Sequence, residues 1–139
     1  MYLGEYTGYG TAKTAKDQAF QAAFAKAVQA GLAAGAGNKP APMVVQEMVG
    51  MTNEVKQAWY ESEGACGFAW VTVTPGNCPF ANWLKKNGYA SKAYGGGVQV
   101  WISDFGQSVD RKEACAGAMA KTLQMELGMS GVYAGSRLD

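Results

Sequence analysis

The sequence predicts an α/β (α+β) sandwich, a small mixed sheet of about four strands with helices on one face. Three observations carry this. The stretches 79–88 and 108–128 have helix signals at both ends, and 65–74, 95–103 and 131–136 are short, rich in Val, Thr or aromatic residues and bounded by Gly, Pro or Ser. These segments interleave along 139 residues, enough for one core. The chain is therefore read as a single domain, 1–139, with 1–13 a flexible, glycine-rich lead-in.

From about Thr14 to Ala33 the residues Phe20, Phe24, Ala27 or Val28, and Leu32 recur at helical spacing on an Ala-rich segment that "GAGNKPAP" ends. "MVVQEM" (43–48) follows as a short strand, and 49–63 reads equally as helix or loop. The alternating stretch 65–74 is a strand closed by Pro75-Gly76, after which Asn77 is the expected N-cap of a short helix with Pro79 in its first turn, Lys85 and Lys86 in its last and Gly88 behind it. "GGGVQVWIS" (95–103) is the next strand. Ser108 or Asp110 caps a second helix, with the Asp110-to-Glu113 spacing of a capping box, a buried stripe of Cys115, Met119, Leu123 and Leu127, and Gly128 as its stop. "GVYAGS" (131–136) is the last strand. Strands joined by helices must cross a face of the sheet, so the layering is ferredoxin-like in spirit.

Strand side chains alternate between faces, so each strand splits by parity. One set holds Val71, Val73, Val98, Val100, Ile102, Val132 and Ala134 and is the face for the helices. The other holds Cys66, Phe68, Trp70, Thr72, Gln99, Trp101, Ser103 and Tyr133, aromatics mixed with polar handles, which suits an interface. Three uses compete for it: cover by the N-terminal Ala-rich helix, burial between subunits, or a platform on which a base stacks.

Twelve Lys and Arg against eleven Asp and Glu give a net charge of +1, so there is no strong nucleic-acid signal from long-range charge. Charged residues are only 17% of the chain, which favours self-association, and a homo-oligomer is expected. No run reaches the roughly 18 apolar residues of a membrane span, no leader is evident at the N-terminus, and the three cysteines read as free thiols of a reducing compartment.

Histidine is absent, which excludes Ser-His and Cys-His nucleophile pairs and His-based zinc sites. The cysteines lack metal-ligand spacing, and neither a cofactor nor a metal nor a catalytic residue is assigned. Cys66 and Cys115 read as buried, whereas Cys78, at a helix start, is the one thiol expected to react readily. "GYGTAKT" (8–14) lacks the frame of a phosphate loop, and "YGGGV" (94–98) serves as a loop or a close backbone approach. Arg111 and Lys112 fall in the first turn of a helix, where the dipole disfavours cations unless an anion is near. Arg137 stands beside the last strand, free to clamp a phosphate or pair with Asp139.

"CGFAWV" (66–71), "VQVW" (98–101), "GQSVDRKEACAGAMA" (106–120) and "GSRLD" (135–139) resemble a group of small uncharacterised proteins of tailed bacteriophages over about residues 65–139. The resemblance implies a viral origin and carries no activity. The expected role is a phage-encoded accessory protein, acting in host takeover or counter-defence in the cytoplasm of the infected cell. It would bind an aromatic or nucleotide-like ligand through Phe68, Trp70, Gln99, Trp101, Tyr133, Lys112 and Arg137. Two alternatives are a virion component that uses the same face as a subunit contact, and a histidine-free lyase on a nucleoside-type substrate using Glu61 or Tyr60.

Overall fold

The computed structural model describes residues 1–6, 8, 14–48, 50 and 55–139, and the side chains of 43–48, 56, 57 and 59–61 lie outside that description. A 3-10 turn at Leu3–Glu5 precedes helix α1 (Ala15–Gly37) and strands β1 (Met43–Met48), β2 (Val55–Glu61) and β3 (Gly67–Val73). Helix α2 (Pro79–Lys86), strands β4 (Ser91–Lys92) and β5 (Val98–Trp101), helix α3 (Val109–Leu127) and strand β6 (Val132–Leu138) complete the chain. The sandwich expected from the sequence is what forms.

The four-stranded sheet has the order β4-β5-β3-β6, and each neighbouring pair is antiparallel, so the sheet is not mixed. Its membership also differs from expectation. Strand β1 is not in it but pairs with β2 in a separate antiparallel hairpin, which places the ambiguous residues 55–61 in a strand. The fourth place goes to the two-residue β4, too short to leave a periodic signal.

Helix α1 starts at Thr14, whose Oγ1 accepts the Asp17 N–H at 3.0 Å, and ends at Gly37 ahead of the Asn-Lys-Pro break. Helix α2 is capped one residue later than expected. Cys78 takes the N-cap position, its Sγ accepting the Ala81 N–H at 3.4 Å, and Gly88 follows the C-cap in the left-handed region at φ 75°. Helix α3 is capped by Ser108, whose Oγ accepts the Arg111 N–H and donates to the Glu63 carbonyl at 2.9 Å. The expected Asp110–Glu113 box does not form. Asp110 Oδ2 instead accepts the Ala41 N–H at 2.9 Å, and Glu113 accepts the Ser136 hydroxyl.

All three helices lie on one side of the four-stranded sheet. Cys115, Met119 and Leu123 of α3 join Val71, Val73, Val98, Val100 and Val132 in one buried cluster, and α1 is stacked on α3 with Phe24, Ala27 and Val28 inside the same core. The helices cross closely at Gly31, where an added Cβ would lie 2.6 Å from Met119 Cγ. Phe80, Trp83 and Leu84 of α2 fill the end of this layer against Phe20 and Phe24. Each such fully buried side chain contributes roughly 1.5–3 kcal/mol. Ala134 departs from the parity assignment in burial: it is exposed, because β6 is the sheet's edge and the helices do not cover its outer side.

The first six residues are not a bare lead-in. Leu3 is fully buried in the core, and Asp104 accepts the N–H groups of Leu3 and Gly4 at 2.6 and 3.1 Å.

Candidate functional site

Helix α1 does not cover the aromatic face. It packs on α3 and α2, on the other side of the sheet, which overturns the first of the three uses considered for that face. Phe68, Trp70 and Trp101 remain half-buried and outside the core cluster, with no described helix over them.

Register brings the predicted residues together. Trp70 stands directly opposite Trp101 in the β3–β5 pair, their ring centroids 4.8 Å apart, and Phe68 meets the edge of Trp101 at 6.1 Å. Trp70 is also opposite Gly135 in the β3–β6 pair, and the absence of a side chain there lets the indole lie down: an added Cβ would sit 2.6 Å from its Nε1. Trp101 Nε1 donates to Gln99 Oε1 at 3.2 Å, which fixes the orientation of that indole.

Two cations complete the group. Arg137 is opposite Phe68 in β6, and its guanidinium lies 5.1 Å from the Phe68 centroid and 6.0 Å from that of Trp101. Lys112 places its ammonium 5.8 Å from the Phe68 centroid although the residue is only 5% exposed. Neither cation is in an ion pair with a described carboxylate. Cation–π contacts of this kind contribute about 0.5–2 kcal/mol. The Arg137 side chain is exposed and its guanidinium is open to an anion, whereas Lys112 is buried. Tyr133 shares the face by register, opposite Thr72, but is 52% exposed.

Arg111 has a structural use. Its Nε donates to Glu63 Oε2 at 2.6 Å and its Nη1 to the carbonyls of Gly35 and Ala36, both at 3.1 Å, closing the C-terminus of α1. It therefore needs no external anion, which separates it from Lys112. Arg137 does not pair with Asp139 among the described contacts.

A cleft of about 510 Å³ adjoins the face, with Gln99 and Trp101 shared between the two. Its other walls are the N-terminal segment, through Tyr2 and Tyr6, the turn after α2, through Tyr89, and the start of β4, through Ser91. Burial, with a smaller contribution from Tyr89, pushes the Tyr6 hydroxyl up to about 12, and that hydroxyl has no hydrogen-bond partner among the described residues. Sequence reasoning missed this wall; the signal was Leu3, an apolar residue set among tyrosines in "MYLGEYTGY".

One cysteine, Cys66, departs from expectation, and Cys115 meets it. Cys66 is exposed: it lies before β3 begins, its backbone bridging to Ser108 and accepting the Asp139 N–H, whereas Cys115 is fully buried. Burial, and secondarily the charge of Asp104, pushes the Cys115 thiol up to about 12. The side chains of Tyr60 and Glu61, the lyase candidates, lie outside the described residues. Among those described, no group of three His, Cys, Asp or Glu is placed to hold a metal, and no helix is long and apolar enough to cross a membrane. No protein-family model, curated protein or solved structure matches this chain.

Proposed function

We propose that this protein works by binding, and that the face formed by Phe68, Trp70 and Trp101 is a stacking platform for an aromatic, anionic ligand of the nucleotide type. One observation carries the reading: two cations, Arg137 and Lys112, converge on the rings of a sheet face that the helices leave uncovered. Stacking on an indole is worth about 1–3 kcal/mol per base and does not discriminate among bases, while the guanidinium offers paired donors to a phosphate. Gln99 and the adjoining cleft give room for a sugar or a second substituent beside Trp101. The resemblance of residues 65–139 to tailed-phage proteins supports placing this activity in the cytoplasm of an infected host cell, as an accessory factor in takeover or counter-defence.

The test is a titration of the purified protein with mono-, di- and trinucleotides, followed by tryptophan fluorescence. Binding should quench Trp70 and Trp101 and weaken as salt is raised, and Arg137→Gln should weaken it further. A face that binds no nucleotide, in a protein recovered instead from purified virus particles, would replace this reading with a subunit contact.

A further inference from the structure

The two edges of the sheet are treated differently. The β4 edge is two residues long and carries Lys92, an ordinary protection against strand addition. The β6 edge is seven residues long, with Arg137 its one charge and no proline, and Tyr133, Ala134, Ser136, Arg137 and Leu138 are all exposed.

The hydrogen-bond phase of β6 determines which of its groups are free. Thr74 N–H donates to the Gly131 carbonyl at 2.7 Å and Asp139 N–H to the Cys66 carbonyl at 3.0 Å, so the odd-numbered residues of β6 face β3. The main-chain groups of Val132, Ala134, Ser136 and Leu138 therefore point outward. Of these, the Val132 carbonyl accepts from the Gln124 side chain, which places that part of α3 over the open edge.

Helix α3 shows a matching pattern beside this edge. Glu113, Gly117, Lys121 and Gln124 form one exposed stripe at helical spacing. Glu113 lies against Ser136 and Gln124 against Val132, so Gly117 stands near the level of Ala134 and Gly135. An added Cβ at Gly117 would meet nothing within 4 Å.

From these relations we infer that β6 pairs antiparallel with β6 of a second copy of this chain about a two-fold axis at Gly135, joining the two sheets into one. In that register Ala134 and Ser136 each exchange both main-chain bonds with the other residue of the partner. Tyr133 falls opposite the partner's Arg137 on the aromatic face, so a ring meets a cation and no like charges face each other. The same axis passes near Gly117 and sets Glu113 against the partner's Lys121. The spacing is also consistent. Helix α3 packs on both β3 and β6, so its axis lies about one strand spacing, ~4.8 Å, from the two-fold, and the two helices come roughly 10 Å apart, the ordinary distance of packed helices. Gly117 occurs where the helices would approach. This pairing leaves the aromatic faces open and side by side, and it stands whether or not they bind a nucleotide.

The experiment measures association of the full chain by sedimentation over a dilution series, with amide exchange at high and low concentration. The wild-type chain should be a dimer in which the amides of Ala134 and Ser136 are protected and lose protection on dilution, while those of Tyr133 and Gly135 stay protected throughout. Ala134→Pro removes an N–H that has no partner among the described residues and should weaken the dimer at least tenfold. Lys121→Glu should weaken it through repulsion by the partner's Glu113, and the double variant Glu113→Lys with Lys121→Glu should restore it. A monomeric wild type, or a dimer whose Ala134 and Ser136 amides exchange equally fast at all concentrations, would overturn the proposal. The exchange measurement decides the matter even if Ala134→Pro impairs folding.

Discussion

Trp70 and Trp101 are direct cross-strand partners with ring centroids 4.8 Å apart and planes inclined by 35°, on the side of the sheet away from the helices. Their geometry is fixed from below, by Gly135 under one indole and the Gln99 amide against the other. A pair held this way presents its remaining ring surface outward without needing a ligand to organise it, which reduces the ordering cost of binding.

Trp101→Ala separates a platform from a core. A fully buried aromatic costs about 3–5 kcal/mol when truncated, whereas Trp101 is half-buried and outside the core cluster, so the melting temperature should fall by less than that range implies. Nucleotide affinity should fall by about 1–3 kcal/mol, read by titration. A large loss of stability with unchanged binding would mean that the face is structural.

The thiols make a second, independent prediction. Cys66 should be alkylated rapidly in the folded protein and Cys115 only on unfolding, as peptide mapping after brief labelling would show.

Cys115 also sets an alkaline dependence. Its thiol titrates near 9.0 when unshielded and at about 12 in the fold, so the folded state holds the proton more tightly. Its stabilising contribution is complete below about pH 9 and is lost as pH rises from there to about 12. Melting temperature should decline across that window, and Cys115→Ala should flatten the decline while lowering stability at neutral pH.

Arg111→Ala tests whether the first-turn arginine of α3 is structural. It would leave the carbonyls of Gly35 and Ala36 and the carboxylate of Glu63 without their shared donor, and stability should fall by about 1–3 kcal/mol with nucleotide binding unchanged. Chemical denaturation measures the first and titration the second. Lost binding at full stability would return Arg111 to the ligand site.

Periodicity and end signals made most of the fold legible. The stripe of Cys115, Met119 and Leu123 and the stop at Gly128 define α3, and parity separates Val71 and Val73 from Phe68 and Trp70 because alternation along a strand survives whatever the pairing partner is. Strand order was not legible, since antiparallel and crossover arrangements share the same local pattern. Strand β4 could not be seen at two residues, and Leu3 is a single apolar residue whose burial depends on Asp104, about a hundred positions away. At the site, the aromatics followed from parity, but the convergence of Arg137 and Lys112 on Phe68 is a product of register and tertiary packing. Cys66 was misread because the strand begins one residue after it, and a side chain beyond the end of a sheet has no neighbour to bury it.

Gly31→Ala gives the sharpest test of the helix layer, because two effects of opposite sign meet at one residue. Replacing a helix-interior glycine by alanine ordinarily stabilises by about 1 kcal/mol. At Gly31, however, the new Cβ would lie 2.6 Å from Met119 Cγ, 3.0 Å from Cys115 Sγ and 3.1 Å from the Cys115 carbonyl oxygen. Met119 can adjust its thioether end, but the carbonyl belongs to α3 itself, so relief requires the two helices to move apart, and overpacking of this kind costs about 1–3 kcal/mol. The steric cost should win, giving a net loss of stability in denaturant titration. In a Met119→Ala background, itself destabilised by the loss of a buried side chain, Gly31→Ala should cost less than it does in the parent, because the nearest contact is gone. A Gly31→Ala protein more stable than its parent would show that α1 and α3 do not cross at this residue.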